Sequence, residues 1–255
     1  MKAKIELQGK EYVVDLNKPI DISIPLKEDK QPNCFYAPKF RIEPVVADSF
    51  IGDTTKGSPV NFKNVFINPH GNGTHTECVG HISKRKLSIH KVLQNFHFIA
   101  KLHTVSPLLR DNGDQVIVKE TLVSAFNSEE VFDAIVIRTQ PNGKTKLSKN
   151  YSGSNPPYFE NNAIQFLIEK GIQHLLVDIP SVDREVDGGK IINHKTFWNY
   201  PKEKESNKTI TEMVFINNRI KDGVYLLNLQ IISLELDASP SKPVLYKIES
   251  INTIE

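Results

Sequence analysis

Two short, almost uninterrupted apolar runs in the second half of the chain, with a helical pattern between them, constrain the fold more than any other feature. Asp133-Ala134-Ile135-Val136-Ile137-Arg138 is apolar at every position but its ends, the pattern of a strand buried on both faces. Residues 172–179, apolar at 172, 175–177 and 179, read as a second buried strand. Between them Phe159, Ala163, Phe166 and Leu167 give an apolar face, and Lys170-Gly171 gives a stop. Asn155-Pro156-Pro157 reads as the helix opening, with asparagine as the cap and proline in the first turn. Strand, helix and strand in this order predict a parallel crossover. Polar residues at the carboxyl end of such a strand line crevices, which singles out Asp178 and Asp183. A turn and cap role for Ser181 and Asp183 is the simpler reading.

The remainder is rich in strand patterns. Residues 4–7 and 12–16 form a hairpin around Gln8-Gly9-Lys10. Strands are expected at 21–26, 40–46, 64–67, 98–105, 115–118, 211–216, 224–234 and 244–248, with short helices at 88–95 and 191–198 and a charged loop at 199–208. Residues 27–39 form a long loop carrying an apolar island, Cys34-Phe35-Tyr36. Loops of that length are often functional, so Phe35 and Tyr36 either contact a planar substrate or fold back onto the core. The expected fold class is α/β: one β-rich domain over residues 1–255 with a mixed central sheet, residues 1–19 being an N-terminal hairpin extension.

Composition excludes several classes of function. The 255 residues carry 32 basic and 30 acidic side chains, a net charge of +2, which gives no concentrated basic face for nucleic acid. Lys84-Arg85-Lys86 reads as a solvated face. Two distant cysteines, Cys34 and Cys78, make no disulfide framework. The N-terminus lacks an apolar signal region, and no run approaches the roughly 18 apolar residues of a membrane span. A cytoplasmic protein with no nucleic-acid and no membrane partner is expected.

Chemistry concentrates in residues 68–81, which hold three of the chain's eight histidines, one carboxylate, one thiol and three glycines. On extended backbone His75 and Glu77, two apart, point to the same face, and imidazole beside carboxylate is a common start to a zinc or manganese site. His81 keeps that parity if the chain stays extended. His70 falls on the opposite face unless the glycines absorb one residue as a bulge. Cys78 alternates toward the core.

These residues carry a resemblance. Gly73-Thr74-His75-Thr76-Glu77-Cys78-Val79-Gly80-His81 resembles the signature H-x-G-T-H-x-D-x-P-x-H of the cyclase/kynurenine formamidase family. Asp21-Ile22-Ser23-Ile24-Pro25-Leu26 resembles its opening D-I-S-x-P-L. Val136-Ile137-Arg138-Thr139 resembles its central strand, the run from Gly171 to Asp183 its G-(apolar)-D-x-x-S-x-D segment, and Thr211-Glu212-Met213-Val214 its C-terminal glutamate strand. The resemblance runs in register from about residue 20 onward. It implies the family's swivelling β/β/α-like fold, a homodimer or higher homo-oligomer, and a small-molecule substrate. It also implies one or two divalent ions, Zn or Mn, with His70, His75, Glu77, His194 and Glu212 as ligands and His81 as the catalytic acid/base.

The implied reaction is hydrolysis of an amide of aryl-formamide type, resembling N-formylkynurenine in tryptophan catabolism, by metal-activated water. Alternatives are a cyclic amide or lactone hydrolase of the same fold, and a non-catalytic member with a degenerate site. Three departures stand out: Glu77 replaces the family's aspartate, Val79 its proline, and Gly71 occupies the position of its first histidine, leaving His70 displaced by one.

Overall fold

A computed structural model describes residues 1–7, 9–126, 131–203 and 206–250. Gln8 of the expected hairpin turn and Lys204 and Glu205 of the expected charged loop lie outside the described residues. The main sheet has ten strands: β1 (Lys2–Leu7), β2 (Lys10–Asp15), β3 (Ile20–Asp21), β4 (His75–Glu77), β5 (His97–Val105), β6 (Ala134–Thr139), β7 (His174–Val177), β8 (Thr209–Glu212), β9 (Gly223–Ile231) and β10 (Ala238–Ser250). The helices are α1 (Ile89–Val92), α2 (Asn161–Glu169) and α3 (Ile192–Phe197).

Four strands run parallel in the spatial order β5-β6-β7-β8, with Ala134 opposite Ala100 and His174, and His174 opposite Thr209. The predicted crossover is therefore real, and α2 is its helix. β9 adds antiparallel to β5, and β10 antiparallel to β9. The short β4 lies antiparallel to both β8 and the start of β10, pairing His75 with Glu212 and Glu77 with Ala238. That double pairing curls seven strands into a barrel-like mixed sheet, as the α/β, β-rich expectation required. The β1–β2 hairpin extends it from the far end of β10.

Alternation along the parallel strands divides the core in two. Ile135, Ile137, Leu175 and Val177 face the helices and pack with Ile164, Leu167, Phe197 and Trp198. Ala134, Val136, Leu102 and Leu227 face the barrel interior with Ile22, Cys78 and Leu245. Both faces of β6 are thus covered, which is why its sequence shows no polar alternation. Ile137 is fully buried, so Ile137→Ala is expected to cost about 2–5 kcal/mol in transfer and cavity terms, measurable as a lowered urea midpoint at unchanged slope. No helix among the described residues is long and apolar enough to cross a membrane.

Several expected elements differ. Asn155 does not open a helix: α2 starts six residues later, after Glu160. Asn155 and Pro156 each precede a proline, which disfavours helical backbone. Asn155 instead adopts left-handed φ 48° and donates to Asp114 Oδ1 at 3.1 Å, and Tyr158–Phe159 pairs as a strand with Val116 and Ile117. The strand expected at 21–26 stops at Asp21, because the Asp21 carboxylate accepts Ser23 N–H at 2.9 Å and its hydroxyl at 2.6 Å, turning the chain. The strand expected at 211–216 ends at Glu212, where Met213 takes φ 54°. Conversely, β10 runs from 238 rather than 244, because its start is stitched to β4.

Candidate metal centre

The period of β4 places His75 and Glu77 on the helix-side face of the sheet. Thr76 points the other way, its hydroxyl 2.8 Å from that of Thr211, and Cys78 faces the barrel interior with Ile22 and Val214. Glu212, opposite His75 in the ladder, joins the same face.

The flanking segments are not extended, so parity does not govern the other two histidines. Before β4, Asn68 and Asn72 close a turn reciprocally: Asn68 Oδ1 accepts Gly71 N–H at 2.9 Å, and Asn72 Oδ1 accepts Asn68 N–H at 2.7 Å. This turn, rather than a bulge, points His70 at Glu77. After β4, residues 79–81 form a single 3₁₀ turn in which His81 N–H donates to Cys78 O at 3.0 Å. It returns His81 to within 3.8 Å of Glu77. His194 arrives on α3 from the C-terminal half.

Four imidazoles and two carboxylates thus converge. His75 is fully buried; its Nδ1 lies 3.0 Å from Gly73 O. A carbonyl only accepts, so Nδ1 carries the proton, which in the neutral ring leaves Nε2 as the lone-pair nitrogen. That Nε2 lies 3.5 Å from Glu212 Oε2 and is buried with no hydrogen-bond partner. His194 repeats the arrangement: Nδ1 is 2.6 Å from Asp183 Oδ2, and Nε2 is 3.0 Å from Glu77 Oε1. His70 Nε2 is 2.7 Å from Asp237 Oδ2, and Nδ1 is 3.1 Å from Glu77 Oε2. Each ring ties one nitrogen to an acceptor and turns the other toward Glu77 or Glu212, as metal-holding histidines do.

Two sets of donor atoms, His70/Glu77/His81 and His75/Glu77/Glu212, each lie within 4.8 Å of one another, and Glu77 is common to both. Electrostatics agrees with a cation there. Burial favours a neutral Glu77, yet the adjacent His81 and His194 hold its carboxyl well below the usual range. Burial likewise opposes charge on His70, but hydrogen bonds to Asp237 and Glu77 push it up to about 10. His194 rises for the same reason, through Glu77 and Asp183. Buried carboxylates demand positive charge, from imidazolium or from a divalent ion. Imidazole nitrogen with carboxylate oxygen is a donor set that Zn²⁺ and Mn²⁺ accept, and the orphaned His75 nitrogen fits such an ion.

The cluster opens into a cavity of about 400 Å³ whose walls include Phe35, His81, Arg184 and Ile191. Phe35 is one of its walls; Tyr36 is 79% exposed and is not among the lining residues. Asp183 lines it and also accepts the backbone N–H of Asn193 and His194 at 2.8 and 3.2 Å, so it combines cap and site geometry. Asp178 stays apart, taken up by Thr139 and by Lys146 Nζ at 2.7 Å. Asp237 was not expected. It lies just before β10, ahead of the strand expected at 244–248, so no strand pattern singles it out.

Gly71 is needed for close approach, since a Cβ there would meet Ala37 Cβ at 2.2 Å. Gly71→Ala should therefore cost about 1–3 kcal/mol of overpacking and displace His70. Thermal unfolding and a Zn²⁺ titration would register both effects.

The family model described as "Putative cyclase" matches residues 20–184. No curated protein matches the chain. Among solved structures the fold is similar to that described as a "predicted metal-dependent hydrolase" from Bacillus stearothermophilus, at 18% identity and a TM-score of 0.62, covering 90% of this chain and 98% of that one. It is also similar to isatin hydrolase A from Labrenzia aggregata, at 15% identity and a TM-score of 0.61, covering 90% and 93%. Isatin hydrolase A from Ralstonia solanacearum gives 13%, 0.63, 90% and 91%. The matched segment runs from β3 through β4, β7 and Asp183 to Arg184 and spans more than half of the chain, so this protein belongs to the cyclase family.

Proposed function

We propose that the protein is a metal-dependent hydrolase of non-peptide C–N bonds, acting on an aryl formamide. The ligands are His70, His75, Glu77, His194 and Glu212, and the ion is Zn²⁺ or Mn²⁺, in one or two copies. The observation that carries the reading is His75 Nε2, a buried ring nitrogen without a hydrogen-bond partner that faces the Glu212 carboxylate at 3.5 Å. An unpaired buried polar atom costs about 1–3 kcal/mol, and a divalent ion between these donors removes that cost.

When bound, such an ion polarises the scissile carbonyl and lowers the pKa of water from about 15.7 to about 7. The chain's own residues do the rest. His81, one-third exposed at the cavity wall and 3.8 Å from Glu77 Oε2, takes a proton from the attacking water and gives it to the departing nitrogen. Asp183 holds His194 in the tautomer that leaves Nε2 free to ligate. Phe35 supplies an apolar wall for the substrate's ring.

A cyclic amide is a second reading, favoured by the fold shared with two isatin hydrolases. Stripping the protein with a chelator, restoring it with Zn²⁺ or Mn²⁺, and assaying an aryl formamide beside isatin tests both. Turnover that vanishes and returns with metal is expected, and the faster substrate decides between formamide and lactam. Failure to bind either ion, or full activity after stripping, overturns the reading.

A further inference from the structure

We propose that Asp237 is a positioning residue that sets the tautomers of His70 and His81 together, coupling the metal-holding ring to the proton-carrying ring. One oxygen, Asp237 Oδ2, lies 2.7 Å from His70 Nε2 and 3.4 Å from His81 Nδ1. A carboxylate only accepts, so each ring must place a proton on the nitrogen facing it. The opposite nitrogens, His70 Nδ1 and His81 Nε2, face Glu77 Oε2 at 3.1 and 3.8 Å, and would be the ones left unprotonated once an ion is held there. The two rings lie side by side with centroids 4.2 Å apart at 32°, so turning one displaces the other.

The sheet delivers this carboxylate. Asp237 heads β10, its carbonyl accepts Cys78 N–H at 3.0 Å, and the next residue, Ala238, pairs with Glu77. The ladder that places Glu77 therefore also places Asp237, from 160 residues away. Gly80 lies against this residue too: a Cβ there would meet Leu87 O at 2.2 Å and Asp237 Cβ at 3.0 Å.

His81's proton-carrying role rests on the hydrolase reading; the tautomers do not. The test uses ¹⁵N-labelled full-length protein loaded with Zn²⁺, with histidine ring spectra recorded for wild type, Asp237→Asn, Asp237→Ala and Asp237→Glu. Wild type should show His81 protonated at Nδ1 and His70 at Nε2. In Asp237→Ala, His81 should shift toward the Nε2-protonated form. Zn²⁺ affinity should fall about 10–100-fold, the usual effect of losing a hydrogen-bond partner of a ligand. At saturating zinc, kcat should fall with KM within about two-fold, as when an interaction made only in the transition state is lost. Asp237→Glu should restore part of each effect.

Asp237→Asn keeps the volume and carries the test if the alanine variant does not fold, because it removes the charge and leaves a single, weaker acceptor oxygen for both rings. Unchanged His81 and His70 tautomers with unchanged zinc affinity in Asp237→Asn overturn the assignment. Shifted tautomers in a protein that hydrolyses no amide would remove the hydrolase reading and leave the Asp237 assignment standing.

Discussion

Glu77→Gln is expected to lower the affinity for Zn²⁺ or Mn²⁺ by at least about 100-fold, since losing a shared ligand exceeds the 10–100-fold loss seen when only a ligand's partner is removed. Glu77 is buried and is the one residue common to both candidate donor sets. Its two oxygens face different rings, Oε1 toward His194 at 3.0 Å and Oε2 toward His70 at 3.1 Å. Glutamine preserves the shape but removes the charge and turns one oxygen into a donor aimed at an imidazole. In chelator-treated protein the same change breaks a buried carboxylate–imidazolium pair, at a cost of about 3–5 kcal/mol. Metal analysis after reconstitution reads the first effect and urea denaturation the second. A variant that still holds stoichiometric metal would remove Glu77 from the centre.

His81→Ala separates proton transfer from metal binding. General acid–base catalysis contributes about 10²–10⁴-fold, so kcat is expected to fall by that much with metal content unchanged. Geometry supports the separation: His81 stands farther from Glu77 than His70 or His194 does, and it is the more exposed partner in the contact. Loss of metal in His81→Ala would make it a ligand instead, and retained turnover would leave it without a role.

That His75 and Glu77 share a face follows from strand period alone, and Glu212 faces them because the ladder pairs it with His75. His70 lies outside any period-two argument. It reaches Glu77 because Asn68 and Asn72 close a turn whose hydrogen bonds are side-chain choices, invisible to a count of residues. The same holds for His81, which a 3₁₀ turn swings back after β4. The misplaced start of α2 has a similar origin: Asn-Pro-Pro satisfies a capping rule locally, but strand pairing with residues 116–117 and the Asp114 hydrogen bond outweigh it.

What the amino-acid sequence by itself determined is the parallel strand–helix–strand unit, the covering of β6 on both faces, and the adjacency of His75 and Glu77. These rest on burial and backbone period, which act between near neighbours and leave their mark in the order of residue types. Only the tertiary structure decided that β4 pairs with both β8 and β10. That double pairing brings Glu212 to His75 and Asp237 to His70 and His81 from the far end of the chain, and α3 adds His194 and its partner Asp183. Ladder register and loop closure set those distances, through contacts that no single stretch of the chain contains.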